Sequence, residues 1–327
     1  MTGIGRLAEL DGRRVVVDVP ATAANLGAGY DCVGMALGIA NRIEVEAVAR
    51  PGAGIELIVA GEGAGDLPAD RSNRVVRALD AALALALDVD ASRLGWRIRM
   101  TNRIPLQRGL GSSASATVAG VVAADALTGG PLSPGEMLAI ATSIEGHPDN
   151  AAPALLGGFT VSGTVPGRPG SPATVEAIRF DVPRDLRAVI FVPELQLATS
   201  AMRAALPDSV PRIDAVHNLA AVALGVAGIA SGRYDLLRAL TVDLLHEPYR
   251  AAVYPQLPVL VEAAREAGAI GACLSGAGSA VIAFVDSAAG IAAVERAFLD
   301  VSLADSFPGR VVVATPENAG ARVVGSV

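Results

Sequence analysis

Apolar and polar positions alternate, with many β-branched residues, over 14–19 (RVVVDV), 42–48, 55–59 and 96–100, which predicts strands. The second and third of these read as an antiparallel pair joined at Pro51-Gly52-Ala53-Gly54. Helical spacing takes over at 73–87, where Val75, Val76, Leu79, Leu83 and Ala86 share one side and Ser72-Asn73 forms the cap. Small residues over 112–127 predict a second helix, and Pro134 opens a third over 135–144. A short apolar run at 151–156 precedes a strand beginning at 157–161. Strands follow at 174–180 and 186–192, then a short helix over 199–206 carrying Arg203. The long Ala-rich helix at 213–230 reads as core, with His217 a partly buried histidine. His246-Glu247-Pro248-Tyr249-Arg250 ends another helix, and 256–267 is amphipathic. Two apolar strands flank a Gly-Ser turn at 271–279, and 310–313 is the last strand expected. The Pro- and Gly-rich stretch 163–172 predicts a seam, dividing the chain into 1–165 and 166–327.

Four stretches break this periodicity with candidate chemistry. After the strand at 96–100 comes Arg103-Ile104-Pro105-Leu106-Gln107-Arg108-Gly109-Leu110-Gly111-Ser112-Ser113-Ala114. Gly109 and Gly111 let the backbone turn and approach a ligand oxygen, and the free N–H groups of the following helix suit phosphate. Of Ser112 and Ser113, one can cap that helix while the other reaches a phosphate-bound metal; ordinary N-cap chemistry alone is the other reading of the same Gly-Ser start. The G-x-G-x-x-A dinucleotide pattern is a poor match, because residues 101–108, Pro105 included, separate the strand from Gly109. The loop at 20–34 holds only Asn25 and Asp31 as strongly polar side chains, which suits a ligand wall or a turn carboxylate. Glu145-Gly146-His147-Pro148-Asp149-Asn150 is the densest polar cluster, open to metal binding, acid/base chemistry or a turn. His147 has no second ligand at zinc spacing. The Gly-Ser turn at 271–279 suggests that the C-terminal half faces the ligand too, although alone it is a tight hairpin.

Composition narrows the classes. The chain of 327 residues is 52% hydrophobic, enough for a large core, and only 3% aromatic with a formal charge of −7, so nucleic-acid binding is not expected. No uninterrupted apolar run reaches membrane-spanning length; 216–229 comes closest, and His217 and Asn218 interrupt it. The N-terminus shows no signal pattern, and Cys32 and Cys273 make no disulfide framework, so a cytoplasmic location is expected. All 26 basic residues are arginine. The absence of lysine excludes a Walker A loop, a protein kinase site and a pyridoxal Schiff base.

The segments PATAANLGAGYDCVGMAL, IPLQRGLGSSASA and CLSGAGSA, in this order, resemble the GHMP kinases across nearly the whole chain. Asn25-Leu26-Gly27 with Asp31, and 145–150 with 152–158, are similar to the homoserine kinase branch. The resemblance implies an α+β, two-domain fold, with a ribosomal-protein-S5-like N-terminal domain and a ferredoxin-like C-terminal one. It implies ATP and Mg²⁺ as cofactors and L-homoserine as acceptor, giving O-phospho-L-homoserine on the route to threonine. By the same resemblance Pro105, Gly109, Leu110, Gly111, Ser112, Ser113 and Ala114 take the nucleotide, with Asn73 near adenine. Ser113 and Glu145 hold the metal. Asn25, Asp31, His147, Asn150, Arg203 and Arg250 take the substrate, and Asn150, Glu145 and Thr199 are the catalytic expectation. Chemistry concurs, since an amino acid needs one acid for its ammonium and an arginine for its carboxylate, and Asp31 with Arg203 and Arg250 supplies both.

Some positions depart from the family. Ala23, Ala28, Ala277 and Ser279 stand where Ser or Pro is common, and the short spacing before His147 bears on Glu145 as metal ligand. Asn150 stands where some relatives carry a catalytic Asp, and Asp149 is expected to point away from it, so no side chain is expected to act as base. The alternatives are a mevalonate-type kinase, disfavoured by Asn150 and the lack of lysine, and a non-catalytic nucleotide-binding protein. No nucleic-acid or membrane partner is expected, and a homodimer stays open.

Overall fold

The computed structural model describes residues 3–50, 52–168 and 170–326; Pro51 of the expected turn and Pro169 of the expected seam lie outside them. In order the elements are α1 (Gly3–Ala8), β1 (Arg14–Ala24), β2 (Val33–Val48), β3 (Ile55–Gly61), α2 (Arg74–Leu87), β4 (Gly95–Asn102), α3 (Ser112–Thr128), α4 (Pro134–Glu145), α5 (Ala151–Leu156), β5 (Phe159–Val165) and β6 (Thr174–Phe180). There follow β7 (Arg187–Pro193), α6 (Thr199–Ala204), α7 (Arg212–Ser231), α8 (Leu237–Leu240), α9 (Glu247–Arg250), α10 (Gln256–Glu266), β8 (Gly271–Leu274), β9 (Val281–Val285), α11 (Ala288–Ala304), β10 (Gly309–Ala314) and β11 (Arg322–Ser326).

The first sheet runs β11-β1-β2-β4-β3, with β5 pairing β2 and β6 pairing β5. Val15, Val17 and Val19 of β1, Ile43 and Val45 of β2, and Trp96 and Ile98 of β4 form its buried face. Val75, Val76 and Leu79 of α2 and Val118 and Val121 of α3 cover them. The expected hairpin at 42–59 is not formed. β3 instead pairs in parallel with β4, Ile55 opposite Trp96, and α2 is the crossover. Alternation shows that a segment is a half-buried strand but says nothing about its neighbour. β2 also begins nine residues before the expected 42, because its first part is buried almost throughout and does not alternate. The expected loop at 20–34 shrinks to the tip of the β1–β2 hairpin, where Ala24 faces Gly34.

The second sheet, β10-β7-β9-β8, is antiparallel. Val189, Phe191 and Val281 of this sheet pack on Leu257 and Leu260 of α10 and Phe298 of α11. A third cluster, with Ala21, Leu26, Met35 and Phe159 against Leu240, Ile190 and Phe284, joins the two sheets. The stretch 163–172 connects β5 to β6, which pair over seven residues, so the division at 165/166 falls inside a hairpin. The change of sheet comes between Phe180 and Arg187. Helix α7 is not simply core. Asn218, Ala221, Gly225, Gly228 and Ile229 are buried, while Ile213, Val216, Leu219 and Leu224 are exposed. It is long and apolar enough to cross a membrane by length and composition, yet its buried Asn218 donates to Asp243 at 2.6 Å.

Candidate active site

The Gly-Ser loop lies where β4 hands over to α3. Gly111, in left-handed conformation at φ 69°, occupies the N-cap position of α3, and no side chain caps the helix. The expected capping serine is therefore absent; Ser113 points elsewhere. An uncapped helix start leaves N–H groups and the positive end of the helix dipole to an anion. The loop is set from three sides. A Cβ on Gly109 would stand 1.9 Å from the Ser275 carbonyl oxygen, and Ser275 Oγ donates to the Gly109 carbonyl at 2.7 Å. A Cβ on Gly111 would stand 1.9 Å from Thr22 Oγ1. Arg108 donates to the carbonyls of Pro193 and Glu194, tying the loop to the end of β7.

Ser113 Oγ donates to Glu145 Oε2 at 2.8 Å, and Thr117 Oγ1 donates to Glu145 Oε1 at 2.5 Å. The short spacing before His147 therefore does not carry Glu145 away from the loop: Glu145 ends α4, and Gly146 turns the chain only after it. Arg74 also donates to Glu145, at 2.9 Å. The hydroxyl and carboxylate together make an oxygen pair suited to a hard divalent cation that keeps most of its own waters. Asn73 is the N-cap of α2; its Oδ1 accepts from Val75 N at 2.9 Å and its Nδ2 donates to the Pro68 carbonyl at 2.9 Å. It shapes the wall beside Leu67, Pro68 and Asn102.

At the other end of the cleft, three left-handed residues, Asn25, Leu26 and Asp31, fold the tip of the β1–β2 hairpin. Asn25 Nδ2 donates to the Gly276 carbonyl at 2.9 Å and its Oδ1 accepts from Asp31 N at 3.0 Å, so its amide holds the tip. Asp31 and Arg203 meet in a two-pronged ion pair of 2.7 and 3.0 Å. Residues expected to grip opposite ends of the substrate thus neutralise each other, because each is the other's nearest opposite charge. Arg250 is buried and donates to the Gly276 carbonyl at 3.1 Å and to His246 Nδ1 at 3.0 Å. Among the described residues no carboxylate lies within ion-pair distance of Arg250. His246 Nε2 in turn donates to the Gly27 carbonyl at 2.8 Å; burial pushes its pKa down to about 4, so it is neutral. Neighbouring Glu247 accepts from Leu274 N at 2.7 Å, and desolvation of its carboxyl pushes its pKa up to about 8.

Residues 147–150 depart from the expectation that Asp149 points away. Asp149 Oδ1 pairs with His147 Nδ1, and Asn150 Nδ2 lies 3.4 Å from the same oxygen. The loop is a tight turn into α5 rather than extended chain, so these side chains converge. The hydrogen bond to Asp149 raises the His147 pKa above its ordinary value. Asp31, His147 and Asp149 bring ligand atoms within 4.8 Å of one another, a spacing that suits a cation or an ammonium group. Asn150 Oδ1 accepts from Thr22 Oγ1 at 2.7 Å.

All the expected site residues line one cavity of about 530 Å³, from Asn73, Pro105 and Leu110 through Ser112 and Ala114 to Thr199, exposed at the start of α6. Thr22, Tyr30 and Arg74 were not singled out. Thr22 and Arg74 carry no local motif, and Tyr30 stands beside Asp31 in a loop dominated by small residues. Comparison with known proteins gives the family of the chain. GHMP kinases N terminal domain matches residues 73–158, and GHMP kinases C terminal matches residues 226–301. The chain is 42% identical over 269 residues to the homoserine kinase of Moorella thermoacetica, covering 82% of this chain and 86% of that one. It is 44% identical over 272 residues to the homoserine kinase of Corynebacterium aurimucosum, covering 83% and 86%. A crystal structure of homoserine kinase from Cytophaga hutchinsonii superposes with a TM-score of 0.82 at 29% identity, over 95% of this chain and 97% of that one.

Proposed function

The chain belongs to the homoserine kinases of the GHMP kinase superfamily, and from that premise we propose that its cleft transfers the terminal phosphoryl group of ATP to the side-chain hydroxyl of L-homoserine. The product is O-phospho-L-homoserine, an intermediate on the route to threonine. The observation that carries the reading is the charge layout of the cavity. Buried Arg250 lacks a carboxylate partner among the described residues, and the acids Asp31 and Asp149, clustered with His147, line the same cavity as the Gly-Ser loop. A zwitterion matches that layout. Its carboxylate goes to Arg250 and Arg203, and its ammonium to Asp31 beside the His147–Asp149 pair.

The uncapped N–H groups at the start of α3 hold the phosphates. Ser113 and Glu145 would hold Mg²⁺, which would supply the positive charge to offset the triphosphate where no lysine exists to do so. Asn150, fixed by Thr22, orients the acceptor hydroxyl, and Thr199 closes the same end. The hydrogen bond to Asp149 raises the His147 pKa and so favours its protonated, donating form, and Asn150 cannot take up a proton. The reading therefore assigns no side chain as base; positioning carries the step and the proton leaves late with the phosphoryl oxygens. The test is ADP release with Mg-ATP and L-homoserine, L-serine, mevalonate or galactose, with the product identified by ³¹P NMR. Turnover should require homoserine, and equal turnover with mevalonate would overturn the assignment.

A further inference from the structure

We propose that Tyr30 is a positioning residue for amino-acid recognition, fixing the aim of the two guanidinium groups that receive the substrate carboxylate. The inference rests on the homoserine reading above. The guanidinium carbons of Arg203 and Arg250 each lie 5.6 Å from the centre of the Tyr30 ring. The same ring packs on His246 at 5.2 Å. The hydroxyl accepts a hydrogen bond of 2.8 Å from Arg203, on the guanidinium nitrogen that also reaches Asp31.

The two arginines come from different elements and repel each other, so something must hold them close. Arg250 has its own anchors in His246, Gly276 and the carbonyl of Met202. Arg203 sits on α6, six residues long and without a side-chain cap. Among the described residues, its side chain hydrogen-bonds only to Asp31 and Tyr30. When the substrate ammonium takes up Asp31, that ion pair loosens, and the Tyr30 hydroxyl is the tie that remains. The ring contributes separately, because its negative face attracts both cations and keeps them from parting. Tyr30 thus acts on the substrate through Arg203 and does not need to touch it.

Tyr30→Phe removes the tie and keeps the ring. It should raise the KM for L-homoserine roughly three- to tenfold, the modest end of a charge-assisted hydrogen bond at a half-exposed group. The kcat, the KM for ATP and the melting temperature should stay unchanged. In an Arg203→Ala background the same substitution should have no further effect, since the group it positions is gone. Tyr30→Leu, which loses the ring as well, should raise KM further. An unchanged homoserine KM in Tyr30→Phe overturns the proposal. So does an equal loss in the Arg203→Ala background, which would mean direct contact with substrate, or a joint fall in kcat and melting temperature, which would mean a general prop. Failure of the homoserine reading would show earlier, as absence of homoserine-dependent ADP release by the unaltered protein.

Discussion

Gly111→Ala tests whether the phosphate loop is held by β1. The position has φ 69°, and the new Cβ would stand 1.9 Å from Thr22 Oγ1, where real contacts stay beyond 3.0 Å. The left-handed conformation alone costs an L-residue about 1–2 kcal/mol. Thr22 is fully buried, so its hydroxyl can yield only by rotating away from Asn150 Oδ1, its partner at 2.7 Å. Leaving that part-buried acceptor unpaired adds about 1–3 kcal/mol. Together the substitution should cost about 2–5 kcal/mol, or roughly 3–7 °C in melting temperature for a protein of this size. The KM for ATP should rise, because the N–H groups of Ser112 and Ser113 move with the loop. Thr22→Ala removes the hydroxyl that collides, so adding it to Gly111→Ala should cost less than the sum of the single losses. Differential scanning calorimetry and ATP saturation curves read both. A Gly111→Ala protein with unchanged melting temperature and ATP KM would refute the reasoning, as would strict additivity with Thr22→Ala.

Three further outcomes are expected. Arg250→Ala should raise the homoserine KM roughly ten- to a hundredfold, from a charge-assisted contact worth about 1.5–3 kcal/mol; an unchanged KM would leave Arg203 as the anchor. Glu145→Gln keeps the shape beside Ser113 and Thr117 but removes the charge, so Mn²⁺ binding followed by electron paramagnetic resonance with ADP should weaken at least about tenfold. Unchanged binding would rule Glu145 out as a ligand. His147 is held protonated in the folded protein above its ordinary value. Its contribution to stability is complete below about pH 6.5 and is lost as pH rises through the raised folded-state value. His147→Gln should therefore lower the melting temperature more at about pH 6 than at about pH 9, and it should keep measurable turnover. Equal losses at both pH values would contradict the pairing with Asp149.

The loops that build the site were legible because glycine and hydroxyl residues crowd there for reasons of backbone geometry, which do not depend on distant contacts. Helix α2 was legible for a similar local reason, its apolar stripe and the Asn73 cap. Partnership was not. The alternation at 55–61 looks the same whether β3 lies beside β2 or β4, and only the crossover through α2 decides it. The buried start of β2 lost the alternation that marks a half-exposed strand. Helix α11 was overlooked because an Ala-rich segment with buried Val294 and Phe298 shows little contrast between its faces. β11 was missed because it is a short, mostly exposed edge strand that exists by pairing with β1. Within the site, the roles of Thr22, Tyr30 and Arg74 arise from contacts that cross the fold. The pairing of Asp31 with Arg203 joins residues that the sequence holds 172 positions apart.

The way the Gly-Ser loop is tied down has a consequence for how the protein is made. Ser275, 166 positions further along the chain, bonds the carbonyl of Gly109, and Asn25 reaches Gly276 across 251 positions. A nascent chain emerges N-terminal end first, and its early segments can already pack β1, β2, β4, α2 and α3. The ribosome must still release β8 and the turn after it before the phosphate cradle has a floor. Closing so long a loop adds little entropy cost but delays the contact. Nucleotide affinity is therefore acquired late, when both sheets have docked, and a fragment stopping short of Ser275 would carry a packed first sheet that cannot grip ATP. In the finished protein the same ties make bound nucleotide a brace across both sheets, so saturating ATP should protect the second sheet from proteolysis as well as the first.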